Sequence, residues 1–209
     1  MEIHAPKPAH SLRDFLLELL TITVGILIAL SLEGVVQWVH HRQLVHEAQA
    51  NLATEIRDNR RELQSEFKDL STAEDELKKM LAAIHQAQAN PSTSFGDLRL
   101  NWTIASLHST SWNTAEATGA LSYMEYGEVK RYTQLYDLQQ QFMAVQERGF
   151  QSAMGVYALA PLLDNPKKIT DPQLLDAEHA VGLALAHAGA IHDIGEALEK
   201  EYEKLPVQK

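Results

Sequence analysis

The run Phe15–Leu32, FLLELLTITVGILIALSL, carries a single charge, Glu18, in eighteen residues. Apolar character resumes after Glu33 with Gly34, Val35, Val36, Trp38 and Val39. At about 1.5 Å per residue, a helix over 15–39 exceeds the roughly 30 Å hydrocarbon core of a bilayer. Twelve Leu, Ile, Val and Phe side chains contribute roughly −4 to −7 kcal/mol towards insertion. Glu18 and Glu33 lie towards the ends, where the cost of about 3 kcal/mol for a central carboxylate falls. Trp38 with His40, His41 and Arg42 forms an interfacial collar. The pattern predicts a tail over 1–14 and a transmembrane helix over 15–39. A cleaved signal peptide with Ala29-Leu30-Ser31 as its small-x-small site fits less well, because the preceding basic region is thin and the apolar run does not stop there. A buried core helix is disfavoured by length.

Within this helix Glu18, Thr21, Gly25, Ala29, Glu33 and Gln37 follow one another at steps of three or four, so they share a stripe. Small residues allow close backbone approach in lipid, and polar residues there favour a protein partner. The stripe is a candidate helix–helix contact face. The plainer alternative is that Gly and Thr are common in such helices and the two glutamates snorkel to opposite interfaces. Lys7 and Arg13 before the span balance Arg42 and Arg57 after it. The expected orientation, a cytoplasmic N-terminus with the larger domain outside, rests on that layout being a common export design.

Beyond the collar, Val45, Gln49, Leu52, Ile56, Asn59, Leu63, Glu66, Leu70, Ala73, Leu77, Met80, Ile84 and Ala87 form a heptad-like seam. No proline lies between Leu12 and Ala89, so membrane span and a stalk helix over 40–89 are expected to be nearly continuous. Whether the seam closes within one chain or between chains is not set by its spacing. The cluster from Asn90 to Gly96 ends the stalk. Residues 90–126 read as loop and short helices. Leu98, Leu100, Trp102 and Ile104 alternate as a strand would, but with no second strand to pair with, a short helix is expected. Asn113 and Glu116 resemble a capping box for another, ending near Gly119.

Two long helices are expected over 127–209. The first, from about Gly127 to Leu163, carries adjacent apolar stripes, one through Tyr132, Tyr136, Met143 and Ala153 and one through Leu135, Leu138, Phe142 and Val156. Asp164-Asn165-Pro166 ends it. Asp171 is the expected cap of the second, with Pro172 at its first position. That helix keeps an unbroken register through Leu174, Ala177, Val181, Ala184, Ala188, Ile191, Gly195, Leu198, Tyr202 and Leu205. The expected fold is therefore all-α: a transmembrane helix running into a stalk, then an antiparallel helical bundle.

The formal net charge of −10 argues against a nucleic-acid partner. With no cysteine there is no disulfide framework, thiolate nucleophile or thiolate-bound zinc. His179, His187 and His192 step by eight and five, which is not the three- or four-residue spacing with which a helix chelates an ion. His40, His41 and His46 cluster beside the span and read chiefly as interfacial polar residues, with pH sensing as the sharper alternative. Gly-rich phosphate loops, nucleophile elbows and zinc-protease motifs are missing from the sequence. No catalytic residue, cofactor or metal is expected. Trp112, Gly119, Leu121 and Tyr123 are expected to plug the bundle end or, less readily, to line a small pocket there.

The segment Val24-Gly25-Ile26-Leu27-Ile28-Ala29-Leu30, the charged helix after it, and the pattern Trp112, Thr118-Gly119-Ala120-Leu121, Tyr132 and Leu135-Tyr136 resemble a group of uncharacterised bacterial single-pass membrane proteins of unknown function. The resemblance covers most of the chain and implies a bacterial inner-membrane protein. It carries over no catalytic residues. The expected function is non-enzymatic assembly, as a homo-oligomer or an accessory subunit of a membrane complex, with lipid and membrane proteins as partners and the soluble part in the periplasm. The alternative is an extracytoplasmic sensory or ligand-binding bundle. A membrane-tethered hydrolase ranks third.

Overall fold

The computed structural model describes residues 11–90, 99–159, 161 and 169–205. All regular structure among them is helical: α1 (Leu12–Ala89), α2 (Thr110–Ala117), a 3-10 turn (Ala120–Tyr123), α3 (Tyr126–Tyr157) and α4 (Asp171–Lys204). The all-α expectation holds, and span and stalk belong to a single 78-residue helix. Ser11 caps it, accepting from Asp14 N at 3.2 Å while its hydroxyl donates to the Asp14 carboxylate at 2.9 Å. The chain divides into two compact units, one ending at Glu47 and one starting at Ala48.

In the first unit every residue from Ser11 to His40 is exposed. In the second, the seam of α1 is buried from Leu52 to Ala87 within the chain itself. α3 and α4 cover it. The hydrogen-bonded pairs Gln49–Glu128, Glu55–Tyr136 and Asn59–Gln139 climb α1 and α3 in the same order, so α3 runs parallel to this part of α1. α4 runs the other way, with Glu178 at His85 and Gln88 and with Glu199 and Glu203 at Arg60. The whole register expected for α4, from Leu174 to Leu205, is buried.

The descending connection from α1 to α3 departs from expectation. Residues 99–109 form no helix; the chain is an extended strap that runs antiparallel to α1, with Thr103 at Glu66, Ser106 at Glu62 and His108 at Asn59. Leu100, Trp102, Ala105 and Leu107 are buried, whereas Ile104 is 49% exposed, so the buried line follows the alternation of the sequence at Leu100 and Trp102 and then shifts by one residue. A partner strand is unnecessary because side chains satisfy the backbone. The second unit is thus an up-down-up-down bundle whose second member is a strap followed by the short α2.

Two caps also differ. α2 starts at Thr110 after Ser109, which leaves Asn113 inside the helix and not at its start. Its end near Gly119 is as expected, the glycine taking a left-handed φ of 75°. α4 is capped by Thr170, whose N–H donates to Gln173 Oε1 at 3.0 Å, so Asp171 is the first helical residue and Pro172 the second. In α3 the buried line is Tyr132, Leu135, Tyr136, Gln139, Phe142, Gln146, Gly149, Ala153 and Val156, which threads between the two expected stripes and centres on two glutamines and a glycine. The stop signals 91–96 and 164–166, with Leu98 and Leu163, lie outside the described residues.

Candidate functional site

The first unit presents a continuous apolar surface. Large apolar side chains from Leu12 to Val39 are at least 41% exposed, and Leu12 reaches 78%. Such a surface far exceeds the few hundred Å² of contiguous apolar area that soluble monomers expose. α1 is, among the described residues, the one helix long and apolar enough to cross a membrane, and none of its apolar window is buried as a soluble core helix would be. The three hydroxyls of the apolar run 15–39 are bonded within the helix. Thr21, Thr23 and Ser31 donate to the carbonyls of Leu17, Leu19 and Leu27 at 2.9, 2.8 and 2.7 Å.

On the stripe, Gln37 Nε2 donates to Glu33 Oε1 at 3.2 Å. Glu18, Thr21, Gly25, Ala29, Glu33 and Gln37 are all exposed, and a Cβ added at Gly25 would meet nothing within 4 Å. After it, the Arg42 guanidinium lies 5.4 Å from the Trp38 ring centre, a cation–π contact.

The second unit is organised around a polar core that ties the strap to α1 and α3. Asn59 Nδ2 donates to His108 O at 2.7 Å and to Gln139 Oε1 at 3.1 Å, while Asn59 Oδ1 accepts from His108 N at 2.8 Å. Gln139 Nε2 donates to His108 O and Ser109 Oγ, and the Tyr202 hydroxyl donates to Gln139 Oε1 at 2.8 Å. One helical level on, Gln146 repeats the arrangement on Ala105, accepting from its N–H at 2.8 Å and donating to its carbonyl at 3.1 Å. Glu55 accepts from the Tyr136 hydroxyl and from Ser111 N, at 2.7 and 2.8 Å. Burial pushes both the Tyr136 and Tyr202 hydroxyls up, Tyr136 further through its bond to Glu55.

Glu66 is 5% exposed and accepts from Thr103 Oγ1 at 3.0 Å. Desolvation raises its pKa to about 7, against the lowering effect of the Thr103 bond and with small additions from Asp69 and Glu62.

Sequence reasoning placed Asn59 and Glu66 on the seam but gave them no role, and it passed over Gln139 and Gln146. A signal was present. Each pair is spaced by seven on a buried helix line, so polar side chains recur at matching levels of two helices. That pattern calls for something polar between the helices, and the strap backbone is what lies there.

Trp112 is half-buried and stacks on Tyr136, with ring centres 5.4 Å apart and planes at 21°, and it lies 6.4 Å from Tyr132. Leu121 is half-buried and Tyr123 is 51% exposed, so Trp112 faces the bundle and Tyr123 faces largely outwards. On α4, His187 Nδ1 is 2.7 Å from Ser152 Oγ, and the His192 ring lies against Phe67. The Ser152 hydroxyl is also within 3.1 Å of Arg148 O, its own helix's carbonyl. Among the described residues no three His, Asp or Glu side chains converge as a metal site would require. A groove between α3 and α4 is lined by the polar Arg131, Gln134, Asp137, Gln141, Glu201 and Lys204 together with Leu138 and Leu205.

Comparison with protein families, with curated proteins and with solved structures matches nothing to this chain.

Proposed function

We propose that this chain is a non-enzymatic, membrane-anchored protein that acts by assembly through its N-terminal helix, as a homo-oligomer or as an accessory subunit of a membrane complex. The observation that carries the reading is a contrast. The second unit closes its seam upon itself and buries the whole apolar register of α4, whereas the first leaves every large apolar side chain from Leu12 to Val39 open. A surface of that kind calls for lipid and for other helices. Within it the stripe of Glu18, Thr21, Gly25, Ala29, Glu33 and Gln37 is the face suited to a protein partner. Small side chains at Gly25 and Ala29 admit a neighbouring backbone, and the flanking polar groups gain a hydrogen-bonding partner that lipid does not offer.

In this reading the span lies in a bacterial inner membrane, with the N-terminus in the cytoplasm and the bundle in the periplasm. The chain's surplus of acidic residues is consistent with protein and lipid partners and not with nucleic acid.

The test is the native mass of the full chain, gently extracted from its own membranes. A multiple of 23.4 kDa supports self-assembly, and co-purifying subunits support the accessory role. A bare monomer would count against both. Gly25→Leu is expected to weaken association several-fold by blocking close approach, and an unchanged mass would remove the stripe from the interface.

A further inference from the structure

The last turns of the first unit hold a cation whose neighbour is a ring and not a carboxylate. Arg42 is exposed, and its guanidinium lies 5.4 Å from the Trp38 ring centre. Arg60 and Arg61, by contrast, pair with Glu199, Glu203 and Asp58. Among the described residues no carboxylate lies within ion-pairing distance of Arg42. The nearest acids along its own helix, Glu33 and Glu47, are nine and five residues away. At about 100° of turn per residue, both face other sides of the helix.

Trp38, Val39, Arg42, Gln43 and His46 line a cleft of about 420 Å³ that belongs wholly to the first unit. Trp38 and Val39 form its apolar end. Arg42, Gln43 and His46, all exposed, form its polar end, and each carries N–H donors. Val39 closes the apolar run and Arg42 follows it by three residues, about 4.5 Å as helix. The headgroup layer is roughly 5–8 Å deep on each side of the hydrocarbon, so Arg42 falls within it when the run spans a bilayer.

A phospholipid has the same order as the cleft, with acyl chains and glycerol first and phosphate beyond. We infer that this cleft binds an anionic phospholipid, with the phosphate on the Arg42 guanidinium and the glycerol end against Trp38 and Val39; this rests on the membrane-anchor reading above. A guanidinium matches a phosphate through two parallel N–H···O bonds, and the Trp38 ring holds it in place for that contact. A zwitterionic lipid brings its own cation to its phosphate, whereas an anionic one leaves that place to Arg42.

The full chain in mild detergent is offered equal amounts of phosphatidylglycerol and phosphatidylcholine with the same acyl chains, and the lipid it retains is counted by native mass spectrometry. The expected result is severalfold more phosphatidylglycerol than phosphatidylcholine, falling to parity in Arg42→Gln. Trp38→Leu, which keeps apolar bulk but removes the ring, is expected to lose part of the preference. Arg61→Gln removes an exposed cation already paired with Asp58 and is expected to change nothing. Equal retention of the two lipids by the parent would overturn the site. So would an equal loss in Arg61→Gln, because charge anywhere on the chain would then suffice. Release of phosphatidylglycerol by millimolar glycerol phosphate would assign the cleft to a soluble phosphoester instead. Flotation with phosphatidylcholine vesicles separates this inference from the reading beneath it. A chain that floats without preferring phosphatidylglycerol keeps the anchor and loses the site, and one that does not float loses both.

Discussion

A carboxyl group that ionises near neutrality inside a bundle makes stability depend on pH in an unusual direction. Glu66, buried against Thr103, has its pKa raised to about 7 from an ordinary 4.5. The folded state therefore holds the proton more tightly than the unfolded chain. Its contribution is fully present below the unfolded pKa and is lost as pH rises from about 4.5 through about 7. The loss amounts to at most about 3 kcal/mol. Glu66→Gln keeps an uncharged acceptor for Thr103. The variant is expected to be more stable than the parent above pH 7 and to show a flatter profile between those limits. Urea midpoints of the detergent-solubilised chain across pH, read from tryptophan fluorescence, measure this. A parent profile that rises with pH over that range would refute it. Nearby Asn59 and Gln139 are bonded on all sides, which is how a buried amide avoids the penalty of about 1–3 kcal/mol for an unsatisfied polar group.

Helix packing in the second unit turns on two glycines. A Cβ at Gly149 would lie 2.6 Å from Ile191 Cδ1 and 2.9 Å from Trp102 Cζ2, and one at Gly195 would lie 2.8 Å from Phe67 Cε1. α3 and α4 approach their neighbours closely only because those positions carry no side chain. Gly149→Ala or Gly195→Ala is expected to destabilise by about 1–3 kcal/mol through overpacking. Gly182→Ala and Gly189→Ala on α4 meet nothing within 4 Å. They are expected to stabilise by about 0.5–1 kcal/mol through helix propensity alone. Opposite signs in denaturant midpoints check the assignment. The strap belongs to this scale as well. It is held in extended form because Gln146 and Asn59 each bond both the N–H and the C=O of one strap residue, as a neighbouring strand would.

Taken whole, the chain joins a self-contained bundle to a helix that water cannot solvate well. Residues 48–209 bury the α1 seam, the α3 line and the α4 register among themselves. Expressed alone, they are expected to be soluble, folded and monomeric without detergent, whereas the full chain requires it. Sedimentation of the fragment tests this, and a stable fragment oligomer would move the assembly surface from the membrane helix to the bundle.

Much of this architecture is written in local periodicity. The 3.6-residue repeat revealed α4 from Leu174 to Leu205 and the α1 seam from Leu52 to Ala87, because a helix's buried face depends on spacing along its own segment. The apolar run 15–39 marked the candidate span for the same reason. Other features depended on residues remote in sequence. The alternation of Leu98, Leu100, Trp102 and Ile104 was visible, yet strand, helix or strap turns on what satisfies the backbone of this segment, and that is supplied by Asn59 and Gln146, more than 40 residues away. Tertiary structure likewise decided that the seam closes within one chain, and that the buried line of α3 runs through Gln139, Gln146 and Gly149. A glutamine faces inwards only where another element brings groups for it to bond, and a glycine matters to packing only where another element brings Trp102 and Ile191 against it.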